Sequence, residues 1–183
     1  MTRIIAGTAK GRTLKVPQAG TRPTSDRVRE AVFTSLTSRL GNFAGLAVLD
    51  LYAGSGAFAL EAISRGATCA TLVEKHPATA NVIKENAQKL NFEVVVKNSD
   101  VKTFLKSVGT LKFDLVYIDP PYDYPNEDVE EVLSLLIDGG HLEADAVVVV
   151  ERSARGEQFQ WPAAYEPVQE RVYGETLVKS GVC

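Results

Sequence analysis

The sequence predicts an α/β protein, a buried and mostly parallel sheet flanked by helices, preceded by a small basic extension. Three observations point there. From residue 46 onward, short apolar runs alternate with helical stretches. A Gly-x-Gly turn separates the first of these runs from the helix after it. The first 40 residues differ in charge and in patterning from everything that follows. Continuous apolar runs are the mark of strands buried on both faces, and strand–helix alternation builds a parallel sheet. The division falls near residue 40: residues 1–40 form a hairpin and helix, and residues 41–183 the main domain.

In chain order, Arg3–Ala6 and Arg12–Val16 are short extended pieces, with Gly7 and Gly11 bracketing a turn. Pro17, Gly20 and Pro23 break regular structure. Thr24, Ser25 and Asp26 offer an N-cap for a helix to about Leu40. Val28, Ala31, Val32, Ser35 and Leu36 share one face of it, so Arg27, Arg29 and Glu30 are expected to point outward. Strands follow at Ala47–Leu51, Ala70–Val73, Val94–Val96, Leu115–Ile118 and Ala146–Val150. Helices are expected at about 57–65, 77–90, 101–107 and 126–137. Two extended pieces near 165–172 and 175–179, separated by Gly174, predict a closing antiparallel hairpin.

Composition narrows the setting. The length fits one domain, or one with a small appendage, and 45% apolar residues suffice for a full core. No apolar run approaches the roughly 20 residues of a membrane span, and the opening apolar run is too short for a secretory signal. Cys69, in an expected buried strand, and Cys183 are far apart and read as reduced thiols of a cytoplasmic protein. No Cys/His/Asp cluster suggests a metal. His76 and His141 read as solvated loop residues, and Trp161 and Tyr165 as packing aromatics. An acidic body without an obvious apolar stripe fits a monomer. The net charge of −3 hides an asymmetry: residues 1–40 carry +6 and the rest −9. A basic arm on an acidic body suggests contact with a polyanion, and Arg3, Lys10, Arg12, Lys15 and Arg27 are its expected phosphate contacts.

The first strand runs into Asp50-Leu51-Tyr52-Ala53-Gly54-Ser55-Gly56. Strand, glycine turn and helix are the layout of a cofactor loop, and Gly54 and Gly56 let backbone approach a ligand. Glu74 ends the second strand, 18 residues beyond Gly56, where a carboxylate can accept the ribose hydroxyls of an adenosine cofactor. Ala59 replaces the third glycine of the dinucleotide fingerprint, and Asp50 would repel a pyrophosphate. Both favour S-adenosylmethionine over a nicotinamide cofactor. Asp100 is either an acceptor for the adenine amine, with the Val101 amide facing the ring, or simply a helix N-cap.

Asp119-Pro120-Pro121-Tyr122 ends the fourth strand. Two prolines remove two amide donors, leaving the Asp119 carboxylate and the Pro120 carbonyl as acceptors. An exocyclic base amine has two hydrogens to donate and a lone pair delocalised into its ring. Converging acceptors draw that nitrogen toward a tetrahedral shape and stabilise the charge it develops. Tyr122 offers a stacking face.

These motifs together resemble the RsmD-type enzymes, bacterial 16S ribosomal RNA guanine-N2 methyltransferases. The resemblance is carried by Arg3-Ile4-Ile5-Ala6-Gly7, Lys10-Gly11-Arg12 and Arg22-Pro23-Thr24-Ser25-Asp26-Arg27-Val28-Arg29-Glu30. It continues through Leu49–Gly56, Glu61–Ala67 and Asp119–Tyr122. It implies a Rossmann-like, seven-stranded class I S-adenosylmethionine-dependent methyltransferase fold with a small N-terminal extension. It also implies a guanine of the small-subunit head as target, within 16S rRNA or the 30S subunit or its assembly intermediate. Arg22, Pro23 and Thr24 would lie near the cofactor methionine or the target base. Tyr52 stands where many relatives carry Phe. Three other readings compete, and the intact Asp119–Tyr122 tetrad argues against one of them, a non-catalytic RNA-binding module with a vestigial cofactor fold. A DNA adenine-N6 methyltransferase shares Asp119–Tyr122 but usually needs a target-recognition domain. A nicotinamide-dependent oxidoreductase accounts for the glycine loop but gives Asp119–Tyr122 no task.

Overall fold

A computed structural model describes residues 2–17, 26–107, 111–121 and 123–183. The chain opens with β1 (Thr2–Arg3) and β2 (Thr13–Leu14), an antiparallel pair with Thr2 opposite Leu14. Gly7 and Gly11 take φ of 80° and 82°, the left-handed values that glycine adopts without a Cβ clash. Helix α1 (Asp26–Leu40) follows. The main domain then alternates β3 (Ala47–Leu51), α2 (Ala57–Ser64), β4 (Cys69–Glu74), α3 (Pro77–Leu90), β5 (Val95–Asn98) and α4 (Val101–Lys106). It continues through β6 (Phe113–Ile118), α5 (Asn126–Asp138), β7 (Leu142–Ser153), β8 (Glu166–Tyr173) and β9 (Thr176–Val182).

Seven strands form one sheet in the order β5-β4-β3-β6-β7-β9-β8. All pairs are parallel except those of β9, which runs antiparallel to β7 and β8. The architecture is the Rossmann-like, seven-stranded α/β arrangement that the family resemblance implies. The order reverses between β3 and β6, and a crevice at the carboxyl ends of such strands is where α/β sheets take ligands.

Period-two alternation sends successive side chains of the central strands to opposite layers. Val48, Leu72, Leu115, Tyr117 and Val149 pack with Phe33 of α1 and Phe58 and Ala62 of α2. Leu49, Leu51, Val73, Ile118 and Val150 pack with Leu105 of α4 and Val132, Leu133 and Leu136 of α5. A third cluster joins Ile4, Ala9 and Leu14 of the hairpin to Leu60, Ala87 and Leu90. Trp161 and Tyr165 belong to the second layer, where the Tyr165 hydroxyl donates to the Leu133 carbonyl at 2.8 Å.

Four sequence expectations are corrected. β5 is not buried on both faces; it is the sheet's edge, and Val95 is 45% exposed. Cys69 is exposed, because it opens β4 at the sheet's rim. Arg29 does not point outward. It is 2% exposed, and its Nη2 donates to the Arg3 carbonyl and to Asp26 Oδ1, so the hairpin covers it. His141 is not solvated. The turn after α5 tucks it beneath α4, where its Nε2 lies 2.9 Å from the Leu105 carbonyl oxygen.

Candidate active site

The sheet register brings the predicted loops together. Leu51 of β3 is paired with Val73 on one side and Ile118 on the other. The residues that follow each, Tyr52–Gly56, Glu74 and Asp119–Pro121, therefore leave the sheet side by side. The Asp119 amide donates to the Leu51 carbonyl at 3.5 Å, and the Ala53 amide donates to the Val73 carbonyl at 3.0 Å.

The glycine loop is strained at its entrance. Tyr52 has φ of 63°, a left-handed conformation costly for an aromatic residue and typical of functional turns. Gly54 and Gly56 also have positive φ, and a Cβ on Gly56 would meet Ile83 and Leu72 side chains at 3.1 Å. Glycine at 56 thus serves both the turn and the packing of α2 onto the sheet. Helix α2 has no side-chain cap at Gly56. Asp50 supplies one from beneath: its Oδ2 accepts from the Ala59 amide at 3.1 Å. Asp50 is 2% exposed, and burial raises its pKa well above the usual carboxylate range; the charges of Asp119 and Glu74 add to this, while the Ala59 bond opposes it.

Glu74 is 6% exposed, and both its oxygens accept backbone amides: Oε2 from Gly54 at 3.0 Å and Oε1 from His76 at 2.8 Å. It pins the glycine loop to the β4–α3 corner, and each carboxylate oxygen keeps lone-pair capacity for a further donor. Asp100 is the N-cap of α4, accepting from the Thr103 amide at 3.2 Å; it is exposed. Val101 is buried at the first turn, where amides have no partner within the helix. These features fit an adenosine cofactor: bare glycine backbone, a buried carboxylate at the end of β4, and the Val101 amide in the first turn of α4 beside Asp100.

At the end of β6, Asp119 is half-buried, Pro120 buried and Pro121 exposed. The Tyr124 amide closes a turn onto the Pro121 carbonyl at 2.9 Å. Its ring meets Tyr52 edge-on, with centroids 5.4 Å apart, so the two loops touch. Burial, then the neighbouring Tyr124 hydroxyl, pushes the Tyr52 phenol pKa up, and it stays protonated at any ordinary pH. Tyr122, Arg22, Pro23 and Thr24 lie outside the described residues.

Three residues that the motifs do not reveal also shape the site. Asn98 donates to the Glu74 and Lys75 carbonyls, both at 2.9 Å, locking the end of β4 to β5. Tyr124 and Arg152 brace the loop after β6. Arg152 carried no sequence signal, because the place of β7 beside β6 comes from the sheet order. Among the described residues no group of His, Cys, Asp and Glu could hold a metal ion, and no helix is long and apolar enough to cross a membrane.

The basic arm is tied to the glycine loop through Asn86, whose side chain hydrogen-bonds the Lys15 backbone and donates to the Ser55 carbonyl. Arg3 Nε sits 3.7 Å from Asp26, Lys15 Nζ sits 2.7 Å from Glu85, and Arg12 donates to the Lys89 carbonyl. Lys10 and Arg27 are exposed.

The comparisons with known proteins agree with this layout. Residues 2–181 match the family described as conserved hypothetical protein 95. The chain is 38% identical over 181 residues to the ribosomal RNA small subunit methyltransferase D of Escherichia coli, covering 97% of this chain and 87% of that protein. With the protein of the same name from Haemophilus influenzae it shares 37% over 154 residues, 81% of this chain and 77% of that one. A solved Escherichia coli structure described as the methyltransferase yhhF superposes with a TM-score of 0.85 at 36% identity, over 98% of this chain and 96% of that chain. A solved structure of a Thermus thermophilus protein follows at 0.82 and 32%, over 98% of each chain. The chain belongs to the conserved hypothetical protein 95 family, and its relatives include the ribosomal RNA small subunit methyltransferase D proteins of Escherichia coli and Haemophilus influenzae.

Proposed function

We propose that the chain transfers a methyl group from S-adenosylmethionine to the exocyclic N2 amine of a guanine in 16S ribosomal RNA, in the head of the small subunit. The observation that carries this reading is the donor-poor loop Asp119-Pro120-Pro121 leaving β6 beside the glycine loop that leaves β3. The cofactor supplies an electrophilic methyl group on a sulfonium. Tyr52–Gly56, Glu74, Asp100 and Val101 would hold it, with Asp50 and the Arg22–Thr24 block on its methionine side.

The residues of the chain do the rest. The Asp119 carboxylate and the Pro120 carbonyl accept the two amine hydrogens, turning the nitrogen lone pair toward the methyl group. Their partial charges stabilise the cation that develops on nitrogen. Tyr122 stacks on the base, a contact worth about 1–3 kcal/mol. A base in structured RNA must first be flipped out of its stack to reach such a pocket. Residues 1–40 serve as the RNA-contacting part and residues 41–183 as the catalytic part of a monomeric, cytoplasmic enzyme. Arg3, Lys10, Arg12, Lys15 and Arg27 meet phosphates. The stretch from Asp119 to Pro125 between β6 and α5 is short, which disfavours a DNA adenine methyltransferase with an inserted target-recognition domain.

The test is direct. The protein is incubated with tritiated S-adenosylmethionine and, separately, naked 16S rRNA, 30S subunits and duplex DNA, and the labelled nucleoside is identified after digestion. N2-methylguanosine from the RNA or subunit arm is the expected product. Label in N6-methyladenine of DNA, or no transfer at all, would refute the reading.

A further inference from the structure

The loop after β6 has an unusual problem of support. Prolines at 120, 121 and 125 remove three of its amide donors, so few of its own N–H groups can fasten it. Its carbonyls need a donor from elsewhere, and the sheet provides one. Ile118 of β6 is paired with Val150 of β7. Two residues further along each strand, Pro120 and Arg152 come to the same carboxyl edge. β7 extends past β6 because β9 continues to pair with it, with Leu177 opposite Arg152. Arg152 is therefore held on a rigid strand at the point where the neighbouring chain becomes a loop.

Its guanidinium spans that loop. Nη2 donates to the Tyr124 carbonyl at 2.6 Å and to Asn126 Oδ1 at 3.2 Å, while Nη1 reaches the Pro121 carbonyl at 3.4 Å. One planar fork thus contacts both sides of Tyr122 and the first residue of α5. Burial lowers its pKa, and the charge of Asp119, among the groups close enough to matter, works in the opposite direction. We propose that Arg152 is the positioning residue of the base-binding loop, holding Pro121, Tyr124 and Asn126 so that the Asp119 and Pro120 acceptors keep one geometry. The proposal rests on reading Asp119–Tyr122 as the base pocket.

A lysine cannot replace this fork. It keeps the charge but is a point donor on a flexible stem and cannot span three acceptors in one plane. A displacement of about 1 Å in catalytic groups can cost about 100-fold in rate. Arg152→Lys and Arg152→Ala are compared with the wild type for kcat, RNA KM, cofactor affinity by calorimetry and thermal midpoint. Asp119→Ala is assayed alongside. The expected result is a fall in kcat of about 10- to 100-fold for both variants, with cofactor affinity and RNA KM within about twofold. Millimolar guanidinium should restore part of the Arg152→Ala rate and none of the Asp119→Ala rate. Near wild-type kcat in Arg152→Lys would overturn the proposal. So would a raised RNA KM at unchanged kcat, which would make Arg152 an RNA contact. If Arg152→Ala does not fold, the kcat of Arg152→Lys decides. Retained activity in Asp119→Ala would instead defeat the pocket reading itself, whatever Arg152 does.

Discussion

Asp50 lies behind the glycine loop, almost fully buried, with its carboxylate on the Ala59 amide and two other carboxylates nearby. Its pKa in the folded protein is raised well above 3.8, chiefly by burial. The protonated form is therefore the one that folding favours. Its stabilising contribution is complete below pH about 4, near the unfolded pKa, and is lost as pH rises through the folded one. Asp50→Asn keeps an oxygen for the Ala59 amide and removes the ionisable group. It should raise the thermal midpoint of the cofactor-free protein at pH 7, by about 2–4 °C for each kcal/mol recovered. The gain should shrink as pH falls toward 4, and a gain independent of pH in a scanning-calorimetry series would contradict the burial argument. The same substitution should weaken S-adenosylmethionine binding if Asp50 balances the cofactor's positive charge. Asp119 makes the complementary case. In the proposed mechanism it meets the base amine and not the cofactor, so Asp119→Ala should lower methyl transfer at least 100-fold while calorimetric cofactor affinity stays within a few fold. Near wild-type turnover would remove Asp119 from the chemistry.

The hairpin and α2 form a joint whose tolerance is small. The Ile5 and Ala6 amides donate to Glu61 at 2.7 and 2.9 Å, the Ala9 amide donates to Ser64 Oγ at 3.0 Å, and Ser64 Oγ donates to the Ala6 carbonyl at 2.6 Å. Glu61 is fully buried and paired with Arg65. A Cβ on Gly7 would stand 1.8 Å from the Ser64 carbonyl oxygen. Gly7→Ala must shift the hairpin off α2, and Glu61→Ala must leave two amides without their acceptor, at about 1–3 kcal/mol for each buried donor stranded. Both variants should lower the urea midpoint clearly, whereas Lys10→Ala on the exposed turn should not; equal midpoints for all three would mean that the hairpin adds nothing to stability. This joint also marks the limit of what the sequence disclosed. The central strands were legible because both of their faces are apolar, and the glycine and Asp-Pro-Pro loops were legible because their backbone needs are written in residue type. Arg29, His141 and Arg152 were not. Each takes its partners from an element distant in sequence: the Arg3 carbonyl, the Leu105 carbonyl and the Tyr124 carbonyl. No local periodicity encodes such a contact. The strain at Tyr52 was hidden too, since nothing about a tyrosine announces a positive φ.

At the scale of the whole molecule the distribution of charge is the dominant feature. A pocket for one base cannot grip a folded RNA, so affinity has to come from outside it, and the only strongly basic stretch is the first 40 residues. In the protein alone Lys15 and Arg3 are engaged lightly. Lys15 pairs with Glu85 with both side chains more than half exposed, and the Arg3 side chain is 65% exposed beside Asp26. Exposed pairs of this kind contribute about 0–1 kcal/mol, so phosphates can replace the carboxylates at small cost. Such contacts set orientation and not sequence preference. Neutralising Arg3, Lys10, Arg12 and Lys15 together should weaken RNA binding and flatten its salt dependence, each lost contact removing about 0.7–0.9 from the log–log slope. Arg12 also donates to the Lys89 carbonyl and Lys15 also pairs with Glu85, so the thermal midpoint of the quadruple variant is measured first, to separate lost affinity from a loosened hairpin. Cofactor binding should be unchanged, because the glycine loop and Glu74 lie at the carboxyl edge of the sheet and share no contact with these four side chains among the described residues. A folded variant with an unchanged slope would assign the arm a purely structural role and move the RNA surface elsewhere, to the region around Arg152 and Arg155, where Arg155 stands exposed beside Glu175.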